Sequence, residues 1–160
     1  TPVTVTVKRG TPLGTTFAVN PSNTWAYSHV ADDAKALMSD YLIAPGGGTN
    51  EVTVNHLVPG SRYTFYLYGA GDQNTHQTTF TIGAKSQTTL GVPHDSHNLT
   101  LEGDYVVFTD VLADNGTVTI SYVGAGASRD GNFNGFQMQG EWPGEGVPTA
   151  VPAAPTGAAP

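Results

Sequence analysis

Apolar and polar residues alternate along most of this chain. Val3, Val5 and Val7 are interleaved with Thr4 and Thr6 over residues 1–7, the two-residue period of a half-buried strand. The same period predicts strands over 14–19, 51–57, 62–68, 76–82, 85–90, 105–111, 117–123 and 132–139. Within 62–68, Tyr63, Phe65 and Leu67 fall on one face and Thr64, Tyr66 and Tyr68 on the other. A strand apolar on both faces is expected at the centre of a sheet. Val58-Pro59-Gly60 and Asp114-Asn115-Gly116 are turns between strands, the second a hairpin signal because Asn-Gly tolerates positive φ.

Only residues 31–41 carry a helical period. Ala34, Leu37, Met38 and Tyr41 share one face, and Asp32 and Asp33 suit a first turn. One short helix or helical turn among so many strands is an all-β pattern. Strands recurring every ~8–12 residues leave two architectures, a sandwich or a closed barrel.

Composition narrows this. Of 160 residues 12% are charged, about half the ~25% of an average soluble domain, so Thr, Gly and Asn coat the surface. Six basic residues against 13 acidic ones, a net charge of −7, exclude a nucleic-acid partner, whose phosphates need Lys/Arg clusters. No apolar run reaches the ~20 residues needed for membrane insertion as a helix. The absence of cysteine removes disulfides and thiol chemistry. Residues 143–160 turn abruptly to Pro and Ala, which predicts a domain over 1–142 and a semi-extended linker or tail over 143–160. A chain that starts at Thr1 fits a processed or excised segment.

Three blocks carry a resemblance. They are Leu37-Met38-Ser39-Asp40-Tyr41-Leu42; residues 57–68 (LVPGSRYTFYLY) running into 77–83 (QTTFTIG); and Tyr105-Val106-Val107-Phe108 with Asn134-Gly135-Phe136-Gln137. In order and wording they resemble a domain that recurs in large exported proteins of planctomycete-like and verrucomicrobial-like bacteria. They are also similar to malectin-like and other galactose-binding-like modules. The resemblance spans roughly residues 14 to 139. It implies a jelly-roll-like antiparallel β-sandwich, an extracellular, secreted or cell-surface setting, and non-catalytic carbohydrate binding. It supplies no sugar-binding motif that transfers residue by residue.

Candidate site residues therefore come from chemistry. A sugar needs a flat apolar face for its C–H groups and fixed polar groups for its hydroxyls. Trp25, Tyr27, Tyr41 and Trp142 are candidates for the first. For the second, two loops are expected at one end of the scaffold: Asp72-Gln73-Asn74-Thr75-His76, and Arg129-Asp130-Gly131-Asn132 with Asn134 beyond. The expected ligand-binding set is Trp25, Tyr27, Asp72, Asn74, His76, Arg129, Asp130 and Asn132. The competing reading makes the aromatics core and the loop residues turn formers. A structural calcium ion needs six to eight oxygens. Asp32, Asp33, Asp40, Asp130 and Glu141 are available, Asp40 and Glu141 being the expected ligands, against a reading as plain surface carboxylates. His94-Asp95-Ser96-His97 has the spacing for zinc or copper but reads as a solvated loop. No G-x-S-x-G elbow occurs, and the carboxylates are scattered rather than paired, so no enzyme is expected. Asn98-Leu99-Thr100 and Asn115-Gly116-Thr117 fit the N-glycosylation pattern.

Two functions of different class fit. One is a carbohydrate-binding module of an exported multidomain bacterial protein, with polysaccharide as partner. The other is a structural subunit or spacer of an extracellular filament or surface assembly, with neighbouring protein subunits as partners. For the second, the strand at 1–7 is a segment able to complete another sheet by β-augmentation.

Overall fold

The computed structural model describes residues 2–8, 24–26, 35–38, 40–71, 75–91, 99–127 and 129–142. Alternating Val/Ile/Phe and Thr/Ser build one five-stranded layer. It contains β1 (Thr4–Lys8), β4 (Asn50–Asn55), β6 (Thr78–Ile82), β7 (Lys85–Thr88) and β9 (Thr117–Gly124), in the order β1-β4-β9-β6-β7. The facing layer holds β5 (Arg62–Tyr68), β8 (Tyr105–Leu112) and β11 (Gly135–Gln139) in the order β11-β5-β8. A smaller sheet, β10-β3-β2, combines β10 (Gly131–Phe133), β3 (Asp40–Ala44) and β2 (Thr24–Ala26). All the strand pairs named here are antiparallel. The chain changes layer between β4 and β5, β5 and β6, β7 and β8, and β8 and β9. This is the all-β sandwich predicted, and not the closed barrel.

One core fills the space between layers. Val52, Val54, Phe80, Val118, Ile120 and Tyr122 meet Tyr63, Phe65, Leu67, Val106, Phe108 and Met138, all buried. Phe133 stacks on Tyr122 at 5.4 Å and joins the β10 end to that core. A second, smaller cluster lies outside the β11-β5-β8 sheet. There α1 (Lys35–Met38) and Leu99 cover Tyr68 and Tyr105, with Met38 buried among them.

β10 and β11 are one strand path broken at a single residue. Asn134 donates from Nδ2 to the carbonyls of Met38 and Asp40 (3.3 and 3.4 Å). Its Oδ1 accepts from Ala70 N (2.8 Å), and its own N–H donates to Tyr68 O (3.0 Å). One side chain thus clasps β3 to the end of β5, and the strand predicted over 132–139 divides there.

Three further expectations need correction. The half-buried strand expected over 1–7 is covered only at Val3, which packs against the core, while every residue of β1 is exposed. Their parity is right, since Val5 and Val7 stand opposite Val54 and Val52 and share their inward direction. The facing layer does not reach so far, leaving Val5 50% and Val7 41% exposed. The helix expected over 31–41 contracts, within the described residues, to α1, and Asp40 and Tyr41 open β3 instead. There Tyr41 pairs with Trp25, and Leu42 and Ile43 pair with Phe133 and Asn132. Tertiary pairing on both sides overrides a helical period only a few residues long. Finally, the 114–116 turn does not close a hairpin. Gly116 takes the positive φ (71°) after a turn closed by Gly116 N to Ala113 O (3.2 Å), but the strands it joins, β8 and β9, lie in different layers and pair with other strands. The strand expected over 14–19 and the tail 143–160 lie outside the described residues.

Candidate functional site

The loops chosen from sequence gather at one end of the sandwich, here the upper end. Residues 69–77 cross from β5 to β6, while 125–130 return from β9 to β10. Asn132 is 0% exposed. Thr78 Oγ1 fixes its backbone, accepting from Asn132 N (2.7 Å) and donating to Asn132 O (3.0 Å). A Cβ on Gly71 would lie 2.3 Å from Asn132 Nδ2 and 2.4 Å from His76 Nδ1, so glycine alone lets the chain pass over both. Arg129 and Asp130 are committed to the turn at 45–47: Arg129 O accepts from Gly47 N (2.8 Å), and Asp130 Oδ1 accepts from Gly46 N (3.1 Å). His76 and Asn132 are therefore brought together under Gly71, while Asp130 and the exposed Arg129 hold the 45–47 turn, Arg129 through its carbonyl. Asp72, Asn74 and Tyr27 lie outside the described residues, as does 94–97. Trp25 lies in β2, opposite Tyr41.

Neither polar atom of the Asn132 side chain has a hydrogen-bond partner among the described residues. Burying such groups unpaired costs about 1–3 kcal/mol each. Asn132→Leu, close in shape, is expected to raise stability by ~1–3 kcal/mol in urea denaturation. A loss of that size would show that the amide is engaged in the folded protein.

The two expected calcium ligands are separated. Asp40 opens β3 beside Asn134, whereas Glu141 follows β11 at the opposite, lower end. The five residues of β11 between them span about 17 Å. Glu141 Oε2 accepts from Ser61 Oγ (2.6 Å), and its carbonyl accepts from Tyr63 OH (2.6 Å). Among the described residues no three His, Cys, Asp or Glu side chains gather as a metal site.

A surface that sequence reasoning passed over lies on the outer face of β11-β5-β8. Antiparallel register puts Gln137, Tyr66 and Val107 in one row and Gln139 and Thr64 in the next, with Thr109 beyond Val107 on β8. All but the exposed Thr109 are half-buried, and none is charged. Tyr68 OH donates to Gln137 Oε1 (3.0 Å), which orients the amide and leaves its NH2 for another acceptor. Tyr66 and Tyr68 pack on Tyr105 at 6.4 and 5.5 Å between ring centroids. On the upper part of this face Met38 of α1 is buried with Tyr68 and Tyr105, and Leu37, Tyr66 and Val107 pack against them. The outer face of the other layer differs. Its hydroxyls pair across strands, Thr53 with Thr119 (3.3 Å), Thr79 with Thr88 (2.8 Å) and Thr81 with Ser86 (2.7 Å).

Burial, reinforced by the neighbouring phenols, holds Tyr68 above its usual 10.0; burial, then Tyr66 and Asp104, does the same for Tyr105. Both act as neutral hydroxyls. The fold favours their protonated forms, so this contribution is full below pH 10 and is lost as pH rises beyond 10.0 through the folded values. The urea midpoint is expected to fall between pH 9 and pH 11.5, and to fall less in a Tyr68→Phe, Tyr105→Phe double variant; equal slopes would refute the assignment.

The sequence signal for this face is the Thr64/Tyr66/Tyr68 parity. It becomes a surface only once β11 adds Gln137 and Gln139 alongside, which no local pattern announces. No protein-family model matches the chain, and no curated protein does. Among solved structures, the chain is similar to TmCBM61, whose structure was solved in complex with β-1,4-galactotriose. Identity is 9% and the TM-score 0.43, over 88% of this chain and 89% of the other.

Proposed function

We propose that the chain is a non-catalytic carbohydrate-binding module that takes a neutral polysaccharide on the outer face of β11-β5-β8. One observation carries the reading: a half-exposed tyrosine flanked by an oriented glutamine amide and threonine hydroxyls, in rows of the face without a charged side chain, the exposed Arg62–Asp110 pair lying beyond them towards the start of β5. The Tyr66 ring offers C–H groups an apolar surface, and Gln137 offers a donor at fixed distance from it. The low charge of the whole chain suits a ligand that brings no charge. A place in an exported multidomain bacterial protein, and a structural calcium ion, belong to the same reading. Affinity electrophoresis against a panel of neutral plant and algal polysaccharides, run with calcium and with chelator, tests it. Retardation by at least one polymer is expected; none in either condition overturns it.

A second reading, a subunit of an extracellular assembly, is favoured by β1 specifically. It ends its sheet, and Val5 and Val7 point inward yet remain uncovered. Such an edge is a template for another strand. If it serves assembly, the protein elutes as concentration-dependent oligomers, and Val5→Lys with Val7→Lys returns it to monomer. A monomer at every concentration removes this reading.

A further inference from the structure

The lower end of the sandwich carries an open depression of about 540 Å³, far from the tyrosine face. Two turns and three strand ends form it. Thr4, Asn55 and Thr117 stand side by side in register across β1, β4 and β9, on the outward side of the first layer. His56, Leu57 and Pro59 continue from β4, and Asn115 and Gly116 enter from the turn that joins β8 to β9 across the layers. Backbone bonds lock these turns together: Leu57 N donates to Gly116 O (2.9 Å), and Gly60 N to Ala113 O (2.8 Å). A Cβ on Gly116 would lie 2.7 Å from Leu57 O. The walls are thus formed before any ligand arrives, which removes an ordering cost.

The polar groups here hold unused capacity. His56 sits at φ 63°, a left-handed conformation that a non-glycine residue adopts only when its surroundings impose it. Its Nδ1 lies 3.0 Å from Pro2 O and 3.4 Å from Thr4 Oγ1. A carbonyl only accepts, so Nδ1 carries the proton and Nε2 is left an acceptor. Asn55 uses Nδ2 on Thr6 Oγ1 and Thr53 O, leaving Oδ1. Neither Asn115 nor Thr117 forms a side-chain hydrogen bond among the described residues. The rim therefore offers both donors and acceptors and includes no carboxylate or ammonium, with Pro59 as an apolar wall. The volume is that of a small-ligand site.

We propose that this depression is a second binding site, for an uncharged polyhydroxylated ligand of the size of the last one or two rings of a glycan chain. Hydroxyl groups donate to His56 Nε2 and Asn55 Oδ1 and accept from Asn115, while Thr117 serves in either direction. The site needs nothing from Tyr66 or Gln137, and its occupancy does not depend on the sheet face being a sugar site.

Residue-resolved ¹H–¹⁵N NMR on the full chain tests it. The probes are glucose, galactose, mannose and xylose and their β-1,4-linked disaccharides and trisaccharides, with glucuronate as a charged control. Saturable shifts are expected at 55–58 and 115–117, weaker with glucuronate. Asn115→Ala with Thr117→Val should weaken this set by about ten-fold or more, at ~three- to ten-fold per lost hydrogen bond. Both positions are exposed, and Asn115 is not left-handed, so the fold is kept. Shifts confined to 64–68, 105–109 and 135–139 overturn this inference and leave the face reading standing. Shifts confined to the lower end do the reverse. No shift with any probe overturns the inference.

Discussion

Tyr66→Ala is expected to abolish retention on whichever polysaccharide retards the wild-type protein, weakening binding by about 30-fold or more. That figure is the ~2 kcal/mol typical of a central aromatic anchor. The ring is the largest apolar group in its row, and its neighbours Gln137 and Val107 offer no second platform. The fold should survive, because Tyr66 is half-buried at the edge of the smaller cluster and the main-core residues of β5, Tyr63, Phe65 and Leu67, point the other way. Two companion variants separate the contributions. Tyr66→Phe keeps the ring and should retain most of the affinity, whereas Gln137→Leu removes the donor and should cost ~three- to ten-fold. Affinity electrophoresis at matched polymer concentrations reads all three. Wild-type retention of Tyr66→Ala would place the sugar elsewhere.

The largest effect on stability is expected from Gly124→Ala. A Cβ there would fall 2.1 Å from Arg129 O and 2.2 Å from Arg129 C, both backbone atoms. No side chain can swing aside, so the 125–130 return must move. That return is held from two directions: Ala125 N donates to Gln77 O (2.9 Å), and Gly47 N donates to Arg129 O (2.8 Å). Moving it strains β6, the 45–47 turn and β10 at once. Overfilling a close-packed site costs ~1–3 kcal/mol, and backbone displacement across three elements puts this at the upper end or above, about 3–5 kcal/mol. Urea denaturation measures it. A loss under about 1 kcal/mol would mean that the return yields freely.

Much of the scaffold is legible in the alternation itself. The strands at 62–68, 85–90, 105–111 and 117–123 appear within a residue or two of where alternation puts them, and 62–68, 105–111 and 117–123 do so by burying a face on a core. The central position of 62–68 also follows from its two apolar faces. Where alternation misleads, a partner makes the difference. Residues 40–44 become a strand because they lie between β2 and β10 and pair on both edges. β1 alternates like a covered strand, but coverage belongs to the opposite layer and not to Val5 or Val7.

The candidate site is less legible for a related reason. Polar loop residues such as Asp130 and Asn134 attract attention in a sequence, yet the fold uses them to hold backbone. Tyr66 and Gln137 are 71 positions apart, and only the register between β5 and β11 makes them neighbours. Asn55, His56 and Asn115 likewise meet only because two turns lock together. No single segment contains either surface.

The lower end has a mechanical consequence. β1 starts there beside His56, and the path after β11 passes there beside Ser61 and Tyr63. A load applied between Pro2 and Trp142 therefore acts across the strands instead of along them. Under such a load the β1–β4 ladder opens one hydrogen bond at a time, like a zipper. The module tethered at those two points yields at low force through its first strand, while the layers carrying the tyrosine face stay intact.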